Sequence, residues 1–321
     1  MKAIVQDRYG PADVLRLADV DPPTAGPGQV LVQVRAAGVD PGVWHLMTGL
    51  PYPVRLGYGL RRPRHRVPGM DLAGVVTAVG PGVDAFAPGD AVYGTGVGTF
   101  ATYAIARADR LAPKPGNLTY VEAAAVPVSG QTALTAVRDA GRIRPGMRVL
   151  VIGAGGGVGT YAVQLAHAAG AHVTGLCGRG KLDLVRHLGA DEVVDYTRTD
   201  LPDQRYDVVI DTGGNRSLSR LREVLTPKGT LVLVGGETGE GTWLRGFDRQ
   251  LRALAVSPFV GPRLVPLVAK ESTANLTTLT GHIEAGRLRP VLDRTFPLAG
   301  AADAIRHVER GHATGKVALT I

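Results

Sequence analysis

The fold is decided by the stretch RVLVIGAGGGVGTYAVQLAHAAGAHVTGLC, residues 148–177. Its apolar run at 149–152 is typical of a strand buried on both faces of a parallel sheet. Residues 153–159 hold five glycines in seven positions, and the apolar residues after them recur at helical spacing as far as Gly170. A second apolar run at 172–177 follows. The stretch therefore predicts a strand, a glycine turn, a helix and a second strand.

The glycine turn predicts a binding site for the pyrophosphate of a dinucleotide. Exposed amides at a helix N-terminus solvate negative charge when no Cβ holds the backbone away from the ligand. Aligned on its last glycine, the turn has Ala154 where the usual G-x-G-x-x-G begins, but it also reads as G-x-x-G-x-x-G. A tight strand-to-helix connection is the alternative, and the flanking strands and helix favour the dinucleotide. The predicted contacts are Gly153, Gly156, Gly157, Val158 and Gly159.

The end of the second strand indicates which dinucleotide binds. An NAD site places a carboxylate there for the ribose 2′-hydroxyl, about 20 residues past the turn. This chain instead has Arg179 and Lys181, which alternate with Gly178 and Gly180, and the first acid is Asp183. Two cations suit a 2′-phosphate, so the sequence favours NADP(H). The alternative is that both are ordinary solvated charges at the start of a helix.

Strands and helices continue to alternate beyond this element. The predicted strands are 192–196, 207–211, 229–235 and 251–256, and the predicted helices are 181–188 and 217–225. Six strands with intervening helices predict an α/β fold with a Rossmann doubly wound parallel sheet. Ligands of such sheets bind at the carboxyl ends of the strands. The further cofactor contacts predicted at those ends are Tyr196, Thr212, Gly213, Gly235, Ser257 and Phe259.

The two ends of the chain have secondary-structure patterns that differ from the alternating strands and helices of this middle part. Residues 1–122 show only short strands separated by glycine and proline turns, which predicts a small β-barrel or sandwich. A helical segment at 120–141 follows it. Near the C-terminus we expect a helix at 271–285, an extended piece ending at Pro297, a short helix and a last strand at 317–321.

Length and composition bound the class of protein. A chain of 321 residues is long for one core, so two domains are expected, and 45% hydrophobic with 20% charged residues is typical of a soluble globular protein. The opening residues MKAIVQDRYG lack the layout of a signal peptide and no apolar run approaches a membrane span, so a cytoplasmic location is expected. The single Cys177 excludes an internal disulfide and a cysteine zinc cluster.

The net charge of +8 raises the question of an anionic partner. The densest basic run is RRPRHR at 61–66, with Arg55 just upstream. A nucleic-acid element would carry interleaved aromatic residues or a known reading motif, and only Tyr52 and Tyr58 stand nearby. The pattern favours a solvated loop over an RNA-binding surface and leaves open whether the run binds anything.

The order of these parts resembles the medium-chain dehydrogenase/reductase superfamily, in its zinc-independent quinone oxidoreductase branch. The resemblance covers nearly the whole chain. It implies a GroES-like β-barrel domain of residues 1–122 and 262–321 that carries the substrate cleft, an NADP-binding Rossmann domain of residues 123–261, and a homodimer. Besides the glycine turn, it rests on the motifs at 38–41, 68–76, 88–90, 124–127, 188–191 and 315–317.

The same resemblance indicates whether the active site holds a zinc ion and which reaction the protein catalyses. The superfamily's zinc alcohol dehydrogenases have a cysteine ligand where this chain has Asp40 and a histidine ligand where it has Met70. A thioether is a poor zinc ligand, so no metal is predicted. Without a Lewis acid, alcohol oxidation loses its main means of stabilising an alkoxide. Conjugate reduction needs less stabilisation, because its negative charge spreads into an enolate or hydroquinone anion that hydrogen-bond donors can hold. An NADPH-dependent, alcohol dehydrogenase-like oxidoreductase that reduces quinones or α,β-unsaturated carbonyls is therefore implied. Its alternatives are a reductase of a specialised biosynthetic intermediate and a non-catalytic nucleotide- or RNA-binding protein.

The candidate catalytic residues are His45 and Tyr52, which lie in the segment that lines the substrate cleft of relatives. A histidine can donate a proton near neutral pH, although His45 is also explained as a surface or packing residue, and water is an alternative donor. Thr132 matches a residue near the nicotinamide in relatives. Lys316 matches a recurrent Gly-Lys pair near the C-terminus, and both are predicted to contact the cofactor.

Overall fold

The computed structural model describes residues 1–235 and 247–321. The chain divides into two compact units, one formed by Met1–Gln131 with Glu271–Ile321 and the other by Thr132–Lys270. The first unit thus runs on past the expected end at residue 122, and the chain returns to it at residue 271 rather than 262. One reason is the short helix Tyr120–Ala124, which packs on strands of the first unit.

The first unit is built mainly from strands. Its elements before the second unit are β1 (Lys2–Val5), β2 (Arg16–Asp19), β3 (Gln29–Val39), α1 (Pro41–Thr48), α2 (Val54–Tyr58), β4 (Asp71–Val79), β5 (Ala91–Thr95), β6 (Tyr103–Arg107), β7 (Leu111–Pro113) and α3 (Tyr120–Ala124), and helix α4 (Pro127–Leu134) follows.

The expectation of strands and turns alone over residues 1–122 is wrong at α1 and α2. Helix α1 begins because the Asp40 carboxylate accepts a hydrogen bond from the Gly42 amide (2.8 Å) and Pro41 fills the first helical position. It ends at Gly49, whose φ is 63°. An N-cap, a proline and a C-terminal glycine are a helix signature, here compressed into ten residues that also read as turns.

The second unit is organised as an alternating α/β layer. Its elements are β8 (Arg148–Ile152), α5 (Gly157–Ala168), β9 (His172–Cys177), α6 (Leu182–His187), β10 (Glu192–Asp195), β11 (Tyr206–Asp211), α7 (Leu218–Glu223), β12 (Leu225–Leu233), α8 (Phe247–Val256) and β13 (Arg263–Pro266). The strand order is β10-β9-β8-β11-β12-β13, and every pair is parallel. This order, 3-2-1-4-5-6 in the unit's own sequence, is that of a Rossmann sheet, and the predicted fold class is confirmed.

The segment 251–256, expected to be a strand, lies in helix α8, and the sixth strand is β13. The leucines Leu251 and Leu254 are exposed while Ala253 is buried, so the segment buries one face of a helix. A short apolar run does not distinguish a strand from a helix by itself, which is why the sequence pattern failed here.

The chain then completes the first unit. The last elements are α9 (Thr273–Glu284), β14 (Leu292–Pro297), α10 (Ala301–Glu309) and β15 (Lys316–Thr320). The sheet has the order β14-β15-β3-β4-β5-β7, with β6 paired to β3, and its core is made of valine, leucine and alanine side chains from these strands. Strand β15 pairs antiparallel with the end of β3, with Val317 opposite Val39. This pairing brings the start of β15 to the strand end that precedes Asp40.

Across residues 1–235 and 247–321, no helix has the length and apolar content that crossing a membrane requires.

We predict opposite stability effects for two glycine substitutions. In β9, a Cβ at Gly175 would lie 2.4 Å from Val185 Cγ1, so Gly175→Ala should lower the free energy of unfolding by about 1–3 kcal/mol. At Gly281, on the exposed side of α9, a Cβ meets nothing within 4 Å, so Gly281→Ala should raise it by about 0.5–1 kcal/mol. Urea unfolding of both variants and the parent protein measures this. Equal effects would contradict the packing of α6 on β9.

Candidate functional site

The glycine turn of the second unit has a shape that only glycine permits. Gly153 has a φ of 78°, in the left-handed region, and the Gly156 amide donates to its carbonyl oxygen (3.0 Å). A Cβ at Gly159 would lie 2.1 Å from that same oxygen. The first turn of α5 therefore packs directly against the end of β8.

The N-terminus of α5 presents unused hydrogen-bond donors. Its N-cap, Gly156, has no side chain to cap the helix. Among the described residues, the amides of Gly157, Val158 and Gly159 have no hydrogen-bond acceptor. Three amides at the positive end of a helix dipole form a site for an anion such as a pyrophosphate, so the residues present fit a dinucleotide.

The predicted 2′-phosphate residues gather beside this turn. Arg179 and Lys181 belong to a short 3₁₀ turn directly after β9, and Tyr196 follows β10. A Cβ at Gly155 would lie 2.6 Å from Lys181 Cδ, so the lysine side chain lies against the glycine turn. A Cβ at Gly178 would lie 3.1 Å from the Tyr196 hydroxyl. Two cations and a phenol thus stand at the carboxyl ends of β9 and β10.

Three further predicted residues meet at the ends of β8, β11 and β12. The Thr212 hydroxyl donates to the Ile152 carbonyl (2.8 Å), and a Cβ at Gly235 would lie 2.4 Å from the Thr212 carbonyl oxygen. The Gly213 amide donates to Asp211 Oδ1 (3.1 Å). The carboxyl edge of the sheet is thereby continuous from the glycine turn to Gly235.

Asp211 and Arg249 are parts of this edge that the sequence analysis missed. Asp211 is fully buried, accepts from the amides of Gly213 and Gly214, and forms an ion pair with the mostly buried Arg249. A carboxylate at the end of an apolar strand was an available signal for Asp211. Arg249 carried none, because its helix was not predicted.

The placement expected for Ser257 and Phe259 is wrong. Both lie in a 3₁₀ turn that follows helix α8 rather than a strand. The Leu264 amide donates to the Ser257 hydroxyl (3.1 Å), so this turn stands at the amino end of β13, the edge opposite to the glycine turn. Phe259 is 87% exposed. Their contact with the cofactor was predicted because both were expected at the carboxyl end of a strand, and the structure does not place them there.

In the first unit, His45 stands in the last turn of α1 and Tyr52 in the turn before α2. His45 Nδ1 lies 2.6 Å from the Leu50 carbonyl oxygen, and since a carbonyl only accepts, Nδ1 carries the hydrogen. Neutral His45 therefore has an unprotonated Nε2, which donates only when the imidazole is charged. The Tyr52 ring is covered by the Arg55 guanidinium, 4.7 Å from the ring centroid.

Lys316 belongs to a buried polar cluster of the first unit. Its ammonium donates to Ser129 Oγ (2.9 Å) and lies 3.6 Å from Asp71 Oδ2 and 3.8 Å from Asp40 Oδ2. The lysine side chain is only 2% exposed, and both carboxylates are buried. The cofactor contact predicted for Lys316 stays a prediction, as does that of Thr132, a half-buried residue of α4.

One ammonium, that of Lys316, faces the carboxyl groups of Asp40 and Asp71 in this cluster. If both carboxyl groups were ionised, the cluster would have a net negative charge. Burial raises the pKa of Asp71 to about 8, and the neighbouring Asp40 adds to this, while Lys316 and the Val128 amide oppose it. Asp71 Oδ1 accepts from that amide (2.9 Å). The cluster therefore holds one extra proton at neutral pH.

The positions that carry zinc ligands in alcohol dehydrogenases come together in this structure. A Cβ at Gly42 would lie 2.9 Å from Asp40 Oδ1 and 3.5 Å from Met70 Sδ. The donors there are a carboxylate and a thioether, and the Lys316 ammonium stands 3.8 Å from the carboxylate. Zinc does not fit this set, because a thioether binds it poorly and a fixed cation repels it.

Comparisons with known proteins agree with this architecture. Residues 26–116 match the model of the alcohol dehydrogenase GroES-like domain, and residues 188–319 match that of the zinc-binding dehydrogenases. The mitochondrial NAD(P)H oxidoreductase RTN4IP1 of Mus musculus is 31% identical over 100% of this chain and 89% of its own length. The chloroplastic quinone-oxidoreductase homolog of Spinacia oleracea is 32% identical over 99% and 98%.

A further relative and two solved structures extend this picture. The 2-methylene-furan-3-one reductase of Solanum lycopersicum is 34% identical over 99% of this chain and 79% of its own. The quinone oxidoreductase of Coxiella burnetii superposes with a TM-score of 0.86, at 27% identity, over 100% and 99% of the two chains. A mycobacterial protein solved with NADPH gives 0.83 at 26% identity over 100% of both chains.

The chain belongs to the quinone oxidoreductase branch of the medium-chain dehydrogenase/reductase superfamily, as its motifs indicated. It is thus an oxidoreductase of a family that works with a nicotinamide cofactor.

We predict that Asp71 makes stability fall as pH rises. Between its ordinary pKa near 4 and its folded value of about 8, the native state keeps a proton that the unfolded chain releases. The free energy of unfolding should then decrease by up to about 1.4 kcal/mol per pH unit, and Asp71→Asn should remove this slope. The substituted amide oxygen can still accept from Val128.

Urea unfolding from pH 5 to pH 8 measures the two slopes, with the exposed Asp84→Asn as the control that keeps the parent slope. Identical slopes in the Asp71→Asn variant and the parent protein would show that Asp71 is ionised when folded.

Proposed function

We propose that the protein is a zinc-independent, NADPH-dependent reductase of quinones or α,β-unsaturated carbonyls. The observation that carries the proposal is the set of three unused amides at the start of α5, beside Arg179 and Lys181. Relatives named as NAD(P)H oxidoreductase, quinone-oxidoreductase homolog and 2-methylene-furan-3-one reductase support the substrate class.

In this proposal, the carboxyl edge of the second unit's sheet offers separate residues for the pyrophosphate and for the 2′-phosphate of the cofactor. The amides of Gly157, Val158 and Gly159 would hold the pyrophosphate, and Arg179, Lys181 and Tyr196 would hold the 2′-phosphate. When bound, the nicotinamide supplies a hydride to the β-carbon of an enone or to a quinone. Gly213 and Gly235, which lie beside Thr212, have no side chain, so the cofactor could contact the backbone there directly.

The proton for the reduced product has three candidate sources in this proposal: His45, Tyr52 and water. Because Nδ1 of His45 is committed to the Leu50 carbonyl, proton transfer from Nε2 requires the imidazolium form. Each turnover would then leave His45 neutral until solvent reprotonates it. The Tyr52 hydroxyl is a second donor in the same segment, with its ring held beneath Arg55.

We further propose that the protein is a homodimer, as its resemblance to the family implies.

Removal of the two cations tests the cofactor assignment. We expect Arg179→Ala/Lys181→Ala to raise the KM for NADPH about tenfold or more and to leave that for NADH nearly unchanged, because only NADPH carries the 2′-phosphate. Initial rates with each cofactor measure this. The matched control is Arg144→Ala/Lys228→Ala, which removes two exposed cations of the same unit. Unchanged discrimination in the Arg179/Lys181 variant would refute the NADPH preference.

The reaction and the metal are tested together. Protein treated with EDTA should oxidise NADPH with a panel of quinones and enones at the rate of untreated protein, since no zinc-binding donor set is present at Asp40 and Met70. The measurement is the loss of NADPH absorbance over the panel. A rate abolished by EDTA and restored by zinc would overturn the zinc-independent mechanism, and tight NADPH binding without turnover on any member would overturn the proposed substrate class.

A further inference from the structure

The first unit contains an open cavity of about 860 Å³ that the proposed reaction does not use. It is formed by Gln6 and Asp7 at the end of β1 and by residues of the segment 55–66. The guanidinium-bearing residues lining it are Arg55, Arg61, Arg62, Arg64 and Arg66. Five arginines thus face a cavity that holds one carboxylate, that of Asp7.

The backbone around the cavity is held in one shape. The Arg64 amide donates to the Tyr58 carbonyl (2.7 Å), which closes the loop 58–64. The Tyr9 hydroxyl donates to the Gly59 carbonyl (2.6 Å), and a Cβ at Gly59 would lie 2.2 Å from the Arg62 carbonyl oxygen. The arginines are therefore presented by a built loop rather than by a freely solvated chain.

Two of the five arginines are already engaged. Arg55 donates to the Gly49 carbonyl (2.9 Å) and lies over the rings of Tyr9 and Tyr52, 4.5 and 4.7 Å from their centroids. Arg66 pairs with Asp7 (2.7 Å). The Asp7 carboxylate is shared with Arg16 (2.9 Å), so it has little left to offer the other arginines.

Arg61, Arg62 and Arg64 have no carboxylate partner in the described part of the chain. Like charges held around one concave space repel each other, and an anion placed among them relieves this repulsion. The guanidinium fork matches the oxygens of a phosphate in paired hydrogen bonds. The cavity volume lies within the range of about 300–1,000 Å³ that small-molecule sites occupy.

The same cavity has an apolar side. Leu56 and Leu60 line it and are 79% and 67% exposed, although both are large apolar residues. A ligand that carries only charge would leave them in water. A phosphate attached to an apolar group would cover them.

We propose that this cavity binds a small phosphate ester, with its phosphate on Arg61, Arg62 and Arg64 and its apolar group on Leu56 and Leu60. The site belongs to the first unit and does not depend on the proposed reductase activity. A small ester fits better than RNA, because Arg55 already covers the rings of Tyr9 and Tyr52, on which bases would otherwise stack.

Calorimetric titration of the full chain with inorganic phosphate and with hexyl phosphate tests the proposal. We expect saturable binding of both, with hexyl phosphate the tighter, and about tenfold or more weakening of both in Arg61→Gln/Arg62→Gln/Arg64→Gln. The control Arg35→Gln/Arg287→Gln/Arg310→Gln removes three exposed arginines of the same unit and should bind as the parent does. Every titration contains a saturating concentration of NADPH, which occupies the proposed cofactor site, so that the binding measured is that of the arginine-lined cavity.

A second variant tests the apolar side. Leu56→Ser/Leu60→Ser should keep the affinity for inorganic phosphate and lose the advantage of hexyl phosphate. Circular dichroism and the melting temperature of each variant verify that it is folded.

Several outcomes would overturn the proposal. They are no saturable binding by the parent protein, equal weakening in the two arginine variants, or equal affinity for hexyl phosphate and for hexanoate. Tighter binding of a single-stranded RNA or of phosphatidylglycerol vesicles than of hexyl phosphate, lost in the Arg61/Arg62/Arg64 variant, would replace the small ester by a macromolecular or membrane ligand.

Discussion

The close approach of the α5 N-terminus to the end of β8 is the constraint on which the candidate cofactor site depends. With a Cβ at Gly159, the first turn of α5 would meet the Gly153 carbonyl oxygen at 2.1 Å and would have to move away from the sheet. The three unused amides would then no longer stand beside Arg179 and Lys181. Packing between a helix and a strand, rather than any charged side chain, thus sets the geometry in which negative charge can be bound.

The first unit has a comparable constraint in its buried cluster. Lys316 opens β15, Asp71 opens β4, Asp40 follows β3, and Ser129 lies on α4. A buried ammonium without partners would be strongly destabilising. The pairing of β15 with β3 avoids this, because it places Lys316 beside both carboxylates. The same arrangement puts a fixed cation 3.8 Å from the Asp40 carboxylate. It gives a physical reason, independent of the thioether, why this place suits no divalent metal.

The segment that follows α1 joins the candidate catalytic residues to the arginine-lined cavity. His45 is hydrogen-bonded to the Leu50 carbonyl. Arg55 donates to the Gly49 carbonyl and lies over the rings of Tyr9 and Tyr52. Arg55 therefore belongs to both regions. It orders the loop that carries Tyr52 and forms one wall of the cavity, where its charge adds to that of Arg61, Arg62 and Arg64.

The amino-acid sequence by itself determined the glycine turn and the cations after β9, because these depend on contacts within about 30 consecutive residues. It determined the α/β class because strand and helix patterns alternate along the chain. It failed at α8, where a short apolar run suits both a strand and a helix, and so it placed Ser257 at the wrong edge of the sheet. The Lys316 cluster, the Asp211–Arg249 pair and the closed loop around the arginine cavity were decided only by the tertiary structure. The first two join residues distant in the chain, and the loop is held from outside by the Tyr9 hydroxyl on the Gly59 carbonyl. Such contacts depend on strand order and burial, which no local pattern records.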